Sequence, residues 1–195
     1  ADSKYQTLTQ MMDDILADPK SVGIAGGSSV GSFDHIKPML VAREAGMDDV
    51  TQLKYVSFDG GGEAMTGLLS GSVEALSGDF SEMLGFLESG DIRIIGIMAP
   101  ARLANFPDIP TAKEQGYDVV GANWRGLYMP AGASDEAKDF WSDAIKTMAA
   151  DPGFQATLDA AAIAPFNNFG DDMYNFVADS IEDVTKLSKE IGIIQ

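Results

Sequence analysis

The sequence predicts an α/β protein whose core is a parallel sheet. Four apolar segments have the length of strands, and three of them lead into loops rich in glycine and serine that are followed by helix-prone residues. Strands repeated in this way with intervening helices are typical of a three-layer arrangement, in which helices cover both faces of the sheet. The predicted strands are Val22–Ala25, Leu53–Phe58, Val73–Ser77 and Ile92–Met98, of which the last is apolar enough to be buried on both faces.

Helices are predicted before and between these strands. Thr7-Leu8-Thr9-Gln10 matches a capping box, in which two side chains satisfy free N–H groups at the start of a helix. Another helix should run from the loop after the first strand to Ala45, with Gly46 closing it. Pro38 lies within that helix and cannot donate a backbone hydrogen bond. The helix should therefore either begin later, near Asp34, or kink at the proline.

The chain changes character after Pro130-Ala131-Gly132, where helical periodicity replaces the strand pattern. Helices are expected to begin at Ser134, at Pro152 and near Asp171. Two of them carry wide apolar stripes, and a stripe of this width has to be buried. We expect the stripes to pack on each other, on the α/β part or on a second copy of the chain. The stripe residues are Phe140, Trp141, Ile145, Met148, Phe176, Ile181 and Val184.

Composition argues against several classes of function. The 195 residues include 30 acidic and 13 basic ones, and the formal net charge of −17 argues against binding to nucleic acid or to anionic membranes. The lack of cysteine and the single histidine argue against thiol catalysis and zinc or iron sites, so no cofactor or metal is predicted. No segment approaches the roughly 20 apolar residues of a membrane span. No signal peptide opens the chain, which resembles a mature or trimmed protein.

An anion site is predicted where the first strand ends. The segment Gly26–Ser32 lies between a buried strand and a helix, and such a loop presents backbone N–H groups at the positive end of the helix dipole. It lacks the lysine of a Walker loop and the spacing of a dinucleotide-binding loop. We expect it to hold a carboxylate. Ligands bind beyond the carboxyl ends of parallel strands, so this loop should converge with Asp59–Gly62 and Ser77–Ser81.

The same loop also matches a hydrolase motif. Gly27-Ser28-Ser29-Val30-Gly31 fits the nucleophile elbow G-x-S-x-G. That mechanism needs a histidine far down the chain, and the only histidine, His35, lies six residues after Ser29. On one helix the two side chains would lie on different faces, about 9 Å apart along the axis. The motif therefore does not predict a hydrolase.

Four blocks of the chain resemble one family of binding proteins. Gly26–Ile36 resembles the loop GGSxGGTDHI of the substrate-binding proteins of tripartite tricarboxylate transporters. Tyr55–Ala64, Pro107–Gly116 and residues 123–132 resemble later motifs of that family in order and spacing. The resemblance implies a type II periplasmic-binding-protein fold with two α/β lobes, whose cleft closes on a di- or tricarboxylate. It also implies a periplasmic protein without catalytic activity that delivers its ligand to a membrane permease.

The resemblance implies a division of the chain as well. Residues 1–122 resemble the complete second lobe, and residues 123–195 resemble the crossover and the C-terminal helices that pack with the first lobe. The segment with which family members build much of the first lobe has no counterpart here. We therefore expect this chain alone to bind carboxylates more weakly than a full-length protein, and to self-associate.

Site roles follow from the resemblance only where the motifs match. The serines and N–H groups of the first loop would hold a carboxylate, and Asp79 would either cap a helix or accept from a ligand hydroxyl or ammonium. His35 would be either a buried structural histidine or a ligand contact. Two other functions remain open, a ligand-presenting sensor for a membrane receptor kinase and an enzyme using Asp79 with His35 as an acid–base pair. The predicted ligand-binding residues are Gly27, Ser28, Ser29, Gly31, Ser32, His35, Gly60, Gly61 and Asp79.

Overall fold

A three-stranded parallel sheet forms the centre of the protein, in the order β2-β1-β3. The computed structural model describes residues 2–121 and 123–194. Ile24 of the central strand pairs with Tyr55 on one side and with Ala75 on the other. The predicted parallel sheet is confirmed, and its central strand is the one that carries the first glycine- and serine-rich loop. The strands are β1 (Ile24–Gly26), β2 (Tyr55–Ser57) and β3 (Ala75–Leu76).

Helices flank both faces of the sheet because side chains alternate along β1. Ile24 packs in a large apolar core with Met12 and Met39, which come from the first two helices. Ala25 packs in a smaller core on the opposite face with Ala64 of the third helix. This is the three-layer arrangement that the repeated strand-loop-helix units predict.

Four helices belong to the α/β part of the chain and three follow it. Two short 3₁₀ turns, Val50–Gln52 and Lys113–Gln115, connect other elements. The helices are α1 (Leu8–Ala17), α2 (Phe33–Glu44), α3 (Gly61–Leu69), α4 (Phe80–Glu88), α5 (Asp135–Ala150), α6 (Pro152–Ala160) and α7 (Gly170–Glu190).

One detail of the helices differs from the predictions, whereas the start of α2 at Phe33 agrees with the predicted start near Asp34. The capping box of α1 is only half formed, because Thr7 Oγ1 accepts from the N–H of Gln10 at 3.2 Å while Gln10 Oε1 accepts from Gln6 at 2.7 Å. Helix α2 begins at Phe33 and continues through Pro38, so the proline lies beyond the first turn. Pro38 is buried there, and it removes one donor from the helix interior.

The segment Ile92–Met98 is not a strand of the sheet, contrary to the prediction. It forms one isolated parallel bridge, between Ile97 and Thr111. The backbone of Ile97 donates to the carbonyl of Pro110 at 3.1 Å and accepts from Ala112 at 2.8 Å. The main-chain groups of Ile97 are thus satisfied by a proline-containing connection, and Ile95 and Met98 pack against the large apolar core.

The chain divides into two compact units. The first runs to Asn123 and resumes at Leu187, and the second comprises Trp124–Lys186. Ile191, which follows α7, is buried in the core of the first unit. The predicted division of the chain at residue 122 stays a prediction. That the second unit belongs to another lobe stays a prediction.

The apolar stripes of the second unit are only partly buried among the described residues: Ile145 and Phe176 are half-buried, whereas three other side chains are largely exposed. Phe140 is 66% exposed, Trp141 52% and Ile181 62%. Self-association through these side chains stays a prediction. Among the residues that the structure describes, no helix has both the length and the hydrophobicity needed to cross a membrane.

Candidate ligand-binding site

Three loops meet at the carboxyl edge of the sheet. Gly60 donates its N–H to the carbonyl of Gly27 at 3.1 Å, which joins the loop after β2 to the loop after β1. A Cβ atom on Gly27 would lie 2.5 Å from the backbone nitrogen of Gly61, so this approach requires glycine. Lys37 of α2 donates to the carbonyl of Gly78 at 3.0 Å and so contacts the loop after β3. The predicted convergence of the three loops is confirmed.

Helices α2, α3 and α4 all begin at this edge, and none of them is capped by the side chain of its N-cap residue. The N-cap residues are Ser32, Gly60 and Asp79. Serine and aspartate are among the best capping residues, yet neither side chain accepts a first-turn N–H group here. The positive ends of three helix dipoles therefore lie at one edge without their usual side-chain acceptors.

A buried ion pair lies beneath the first loop. Lys37 Nζ is 3.2 Å from Asp34 Oδ1, and the two side chains are only 10% and 15% exposed. The other carboxylate oxygen of Asp34 accepts a short hydrogen bond from the hydroxyl of Ser28. The pair thus joins the loop after β1 to Gly78 in the loop after β3.

Ser32 has a buried hydroxyl that makes no hydrogen bond among the described residues. It lies next to Tyr55, whose hydroxyl donates to the carbonyl of Ser28 at 2.8 Å. Burial raises the pKa of Tyr55, and the nearby Ser32 hydroxyl opposes that shift without reaching hydrogen-bond geometry. A buried hydroxyl without a partner costs about 1–3 kcal/mol. Ser32 therefore carries a buried donor whose acceptor is not found among the described residues.

His35 is a buried histidine with a partner inside the protein. It is 8% exposed, and its Nδ1 accepts from the N–H of Gly31 at 3.1 Å. Its ring lies against the ring of Tyr55, with centroids 4.5 Å apart. Burial lowers the pKa of His35 below its ordinary value of 6.5, which favours the neutral ring that can accept at Nδ1. These contacts fit the structural interpretation of His35, and its contact with a ligand stays a prediction.

Asp79 and Glu82 place negative charge at the third loop. Asp79 occupies the N-cap position of α4, but both of its oxygens accept from Asn123 Nδ2, at 2.9 and 3.0 Å. The carboxylate of Glu82 lies against Gly61, where an added Cβ would be 2.5 Å from it. A ligand carboxylate would be repelled near Glu82, so we expect it to lie toward the start of α2.

The catalytic alternatives find no support in the geometry. Ser29 is exposed, and neither its hydroxyl nor His35 contacts the other among the described residues. Asp79 is hydrogen-bonded to Asn123 rather than to His35. Across residues 2–121 and 123–194, no group of three or more histidine, aspartate or glutamate side chains is placed to hold a metal ion.

The sequence analysis missed four residues of this edge, Asp34, Lys37, Tyr55 and Asn123. The i,i+3 spacing of Asp34 and Lys37 on a predicted helix was a usable signal for their ion pair. No local pattern predicts the contacts of Tyr55 and Asn123. Their partners, Ser28 and Asp79, lie 27 and 44 positions away in the chain.

The fold is an α/β unit in which three helices begin at the carboxyl edge of a parallel sheet. One family model matches nearly the whole chain. The TctC model, described as the tripartite tricarboxylate transporter family receptor, matches residues 1–193, and the chain belongs to this family. It is a family of receptors and not of enzymes.

Curated relatives match the chain over almost its whole length. A UPF0065 protein in the gbd 5' region of Cupriavidus necator is 23% identical over 193 residues, covering 99% of this chain and 57% of the relative. Protein BugT of Bordetella pertussis is 24% identical over 190 residues, covering 97% of the chain and 57% of BugT. The chain thus spans less than two thirds of the length of these relatives.

Solved structures share the fold. Rpa4515 of R. palustris, solved with adipate, has a TM-score of 0.84 at 18% identity over 97% of this chain and 62% of its own. The periplasmic binding protein BugD has a TM-score of 0.83 at 19% identity over 98% and 63%. MatC from Rhodopseudomonas palustris, solved with bound malate, has a TM-score of 0.70 at 19% identity over 96% and 60%. These similarities confirm the predicted fold class.

Proposed function

We propose that the chain serves in an extracytoplasmic solute-binding protein that captures a small di- or tricarboxylate. The observation that carries the proposal is the convergence of three uncapped helix N-termini at one edge of the sheet. Membership of the transporter receptor family supports it. Two proteins of the same fold were solved with the dicarboxylates adipate and malate.

The energetics fit a ligand held by short-range donors. Each helix terminus contributes about 0.3–2 kcal/mol to the binding of an anion, so three termini supply about 1–6 kcal/mol. Micromolar affinity requires about 8 kcal/mol, which leaves a remainder for the Ser32 hydroxyl and for other contacts. The net charge of −17 opposes an anion at long range, but salt screens that field beyond about 8 Å. Local N–H groups therefore decide the binding.

The family also suggests the partner and the compartment. We propose that the loaded protein delivers its ligand to the membrane permease of a tripartite tricarboxylate transporter, in the periplasm. The name of the matching family and the description of BugD as a periplasmic binding protein support this part of the proposal.

A titration followed by amide NMR tests the proposal on the 195-residue chain. Addition of malate or citrate should shift the amide resonances of Gly31, Phe33 and Gly61, at the starts of α2 and α3. The uncharged diamide of malic acid is the control ligand and should produce no such shifts. No response at millimolar carboxylate, or shifts confined to α5 and α6, would contradict the proposed site.

Two serine variants at helix N-caps sharpen the same experiment. Ser32→Ala removes the buried hydroxyl at the proposed site and should weaken malate binding about 10- to 150-fold, the contribution of one hydrogen bond to a charged group. Ser134→Ala removes a hydroxyl that caps α5 through the N–H of Ala137 and should leave the affinity unchanged. Equal effects of the two substitutions would contradict the role of Ser32.

A further inference from the structure

The hydroxyl of Ser28 is oriented by the protein itself. It donates to Asp34 Oδ2, and a hydroxyl has only one proton to give. An ionised carboxylate only accepts, so the direction of this hydrogen bond is fixed. The lone pairs of Ser28 Oγ that remain can only accept. The sequence analysis expected Ser28 to donate to a ligand carboxylate, and this geometry assigns it the opposite polarity.

Both ends of this hydrogen bond are held in place. Asp34 is paired with Lys37 at 3.2 Å, and Lys37 is in turn anchored on the carbonyl of Gly78 at 3.0 Å. The backbone of Ser28 is held by Tyr55, whose hydroxyl donates to the Ser28 carbonyl at 2.8 Å. Ser28 itself is half-buried in the loop after β1, at the edge where the loops meet.

We propose that Ser28 is a specificity-determining acceptor, which favours carboxylates that carry a hydrogen-bond donor over those that do not. The inference rests on the proposed function, because it concerns the ligand of that same edge. Helix N-termini and Ser32 supply the donors for a ligand carboxylate. Ser28 supplies an acceptor for a hydroxyl or ammonium group on the ligand carbon next to that carboxylate. The ligand class is therefore a hydroxy or amino dicarboxylate.

Succinate, L-malate and L-aspartate test this assignment, since they differ only in a hydrogen, a hydroxyl or an ammonium group on one carbon. Calorimetry on the 195-residue chain should show malate and aspartate binding about 3- to 10-fold more tightly than succinate, the range that one hydrogen bond provides. Ser28→Ala should abolish this preference, because malate and aspartate lose an acceptor that succinate does not use. The Asp34–Lys37 pair stays intact in this variant, so the fold should be retained.

Ser89→Ala is the matched control. Ser89 also donates to a carboxylate, that of Asp91 at 2.7 Å, but on an exposed turn after α4. Its removal should change neither affinity nor preference. If Ser28→Ala instead weakens all three ligands by the same factor, Ser28 is a donor to the shared carboxylate and the inference fails. If none of the three ligands binds the unaltered chain, the proposed function fails as well.

A second variant reverses the polarity of the same hydroxyl. In Asp34→Asn the amide can donate to Ser28 Oγ, which frees the serine proton to face the ligand. The preference should then change toward succinate, whereas Asp91→Asn, the same change on the exposed turn, should have no effect. A variant that keeps the malate preference of the unaltered chain, with its fold verified by circular dichroism, would overturn the inference.

Discussion

The helices that begin at the sheet edge and the helices that begin elsewhere differ in how their first turns are satisfied. Thr7, Ser134 and Asp151 cap α1, α5 and α6, each accepting an N–H group three residues later. At the edge, Ser32 and Asp79 occupy the same position in α2 and α4 without capping them. The residue types are alike in the two groups, so the difference comes from the surroundings.

The two groups of helices also differ in what their first turns leave available to other groups. Where a side chain caps the helix, it accepts a hydrogen bond from an N–H group of the first turn and so stabilises the folded protein. Where the cap side chain is turned away, the N–H groups and the dipole remain for another acceptor. Asp79 is turned toward Asn123, and Ser32 keeps a buried hydroxyl that finds no partner in the part of the chain that the structure describes. Stability is given up at the edge where a ligand is proposed to bind.

The largest effect is expected from Gly27→Ala, which tests how tightly the edge is assembled. An added Cβ would lie 2.5 Å from the backbone nitrogen of Gly61, and backbone at the start of α3 cannot move away as a side chain can. We expect a loss of about 3 kcal/mol or more in the free energy of unfolding, measured by urea denaturation. Gly62→Ala is the control, because no atom lies within 4 Å of its Cβ and alanine favours a helix. A tolerated Gly27→Ala would show that the loops are not packed as described.

Removal of a capping side chain from a helix away from the edge should change the free energy of unfolding but not the affinity for malate. Thr7→Ala removes the acceptor for the N–H of Gln10 and should lower the free energy of unfolding by about 1 kcal/mol. Thr7→Ser keeps the oxygen and should recover most of that loss. Malate affinity, measured by calorimetry, should not change in either variant. A change in affinity would remove the distinction between the two groups of helices.

Ser32→Ala should behave in the opposite way. Since the hydroxyl is buried without a partner, its removal should leave the free energy of unfolding unchanged or raise it by up to about 1 kcal/mol. Urea denaturation without ligand measures this effect. A loss of stability as large as that of Thr7→Ala would mean that the hydroxyl has a capping role that the structure does not show.

The smallest effect concerns pH. Burial lowers the pKa of His35 below 6.5 in the folded protein, so the unfolded chain binds more protons in the interval between the two values. The contribution of His35 to the free energy of unfolding should therefore be fully present above pH 6.5. It should decrease as the pH falls toward the pKa of the folded state. His35 is the only histidine, and His35→Gln should flatten this part of the profile in thermal unfolding from pH 7.5 to 5. An unchanged slope in the variant would assign the titration to other groups.

Local patterns in the sequence determined the helix starts, the parallel strands and the position of the first loop. Ser134 and Asp151 followed by apolar periodicity predicted α5 and α6, because a cap and its helix lie within four residues of each other. The glycine- and serine-rich loops predicted the edge where the three loops meet, since parallel strands end at the same side of a sheet. The resemblance in four motifs added the family, which the family comparison confirmed.

Tertiary structure decided what local patterns could not. Ile92–Met98 has the composition of a buried strand, but whether it joins a sheet depends on the backbone partners available, and Pro110 and Ala112 supply them instead. The polarity of Ser28 depends on Asp34, and the position of Asp34 depends on Lys37 and the distant Gly78. Whether Ser32 and Asp79 cap their helices was likewise set by neighbours far along the chain. Capping propensity is a property of a few adjacent residues, whereas the free N–H groups at this edge result from contacts across the whole α/β unit.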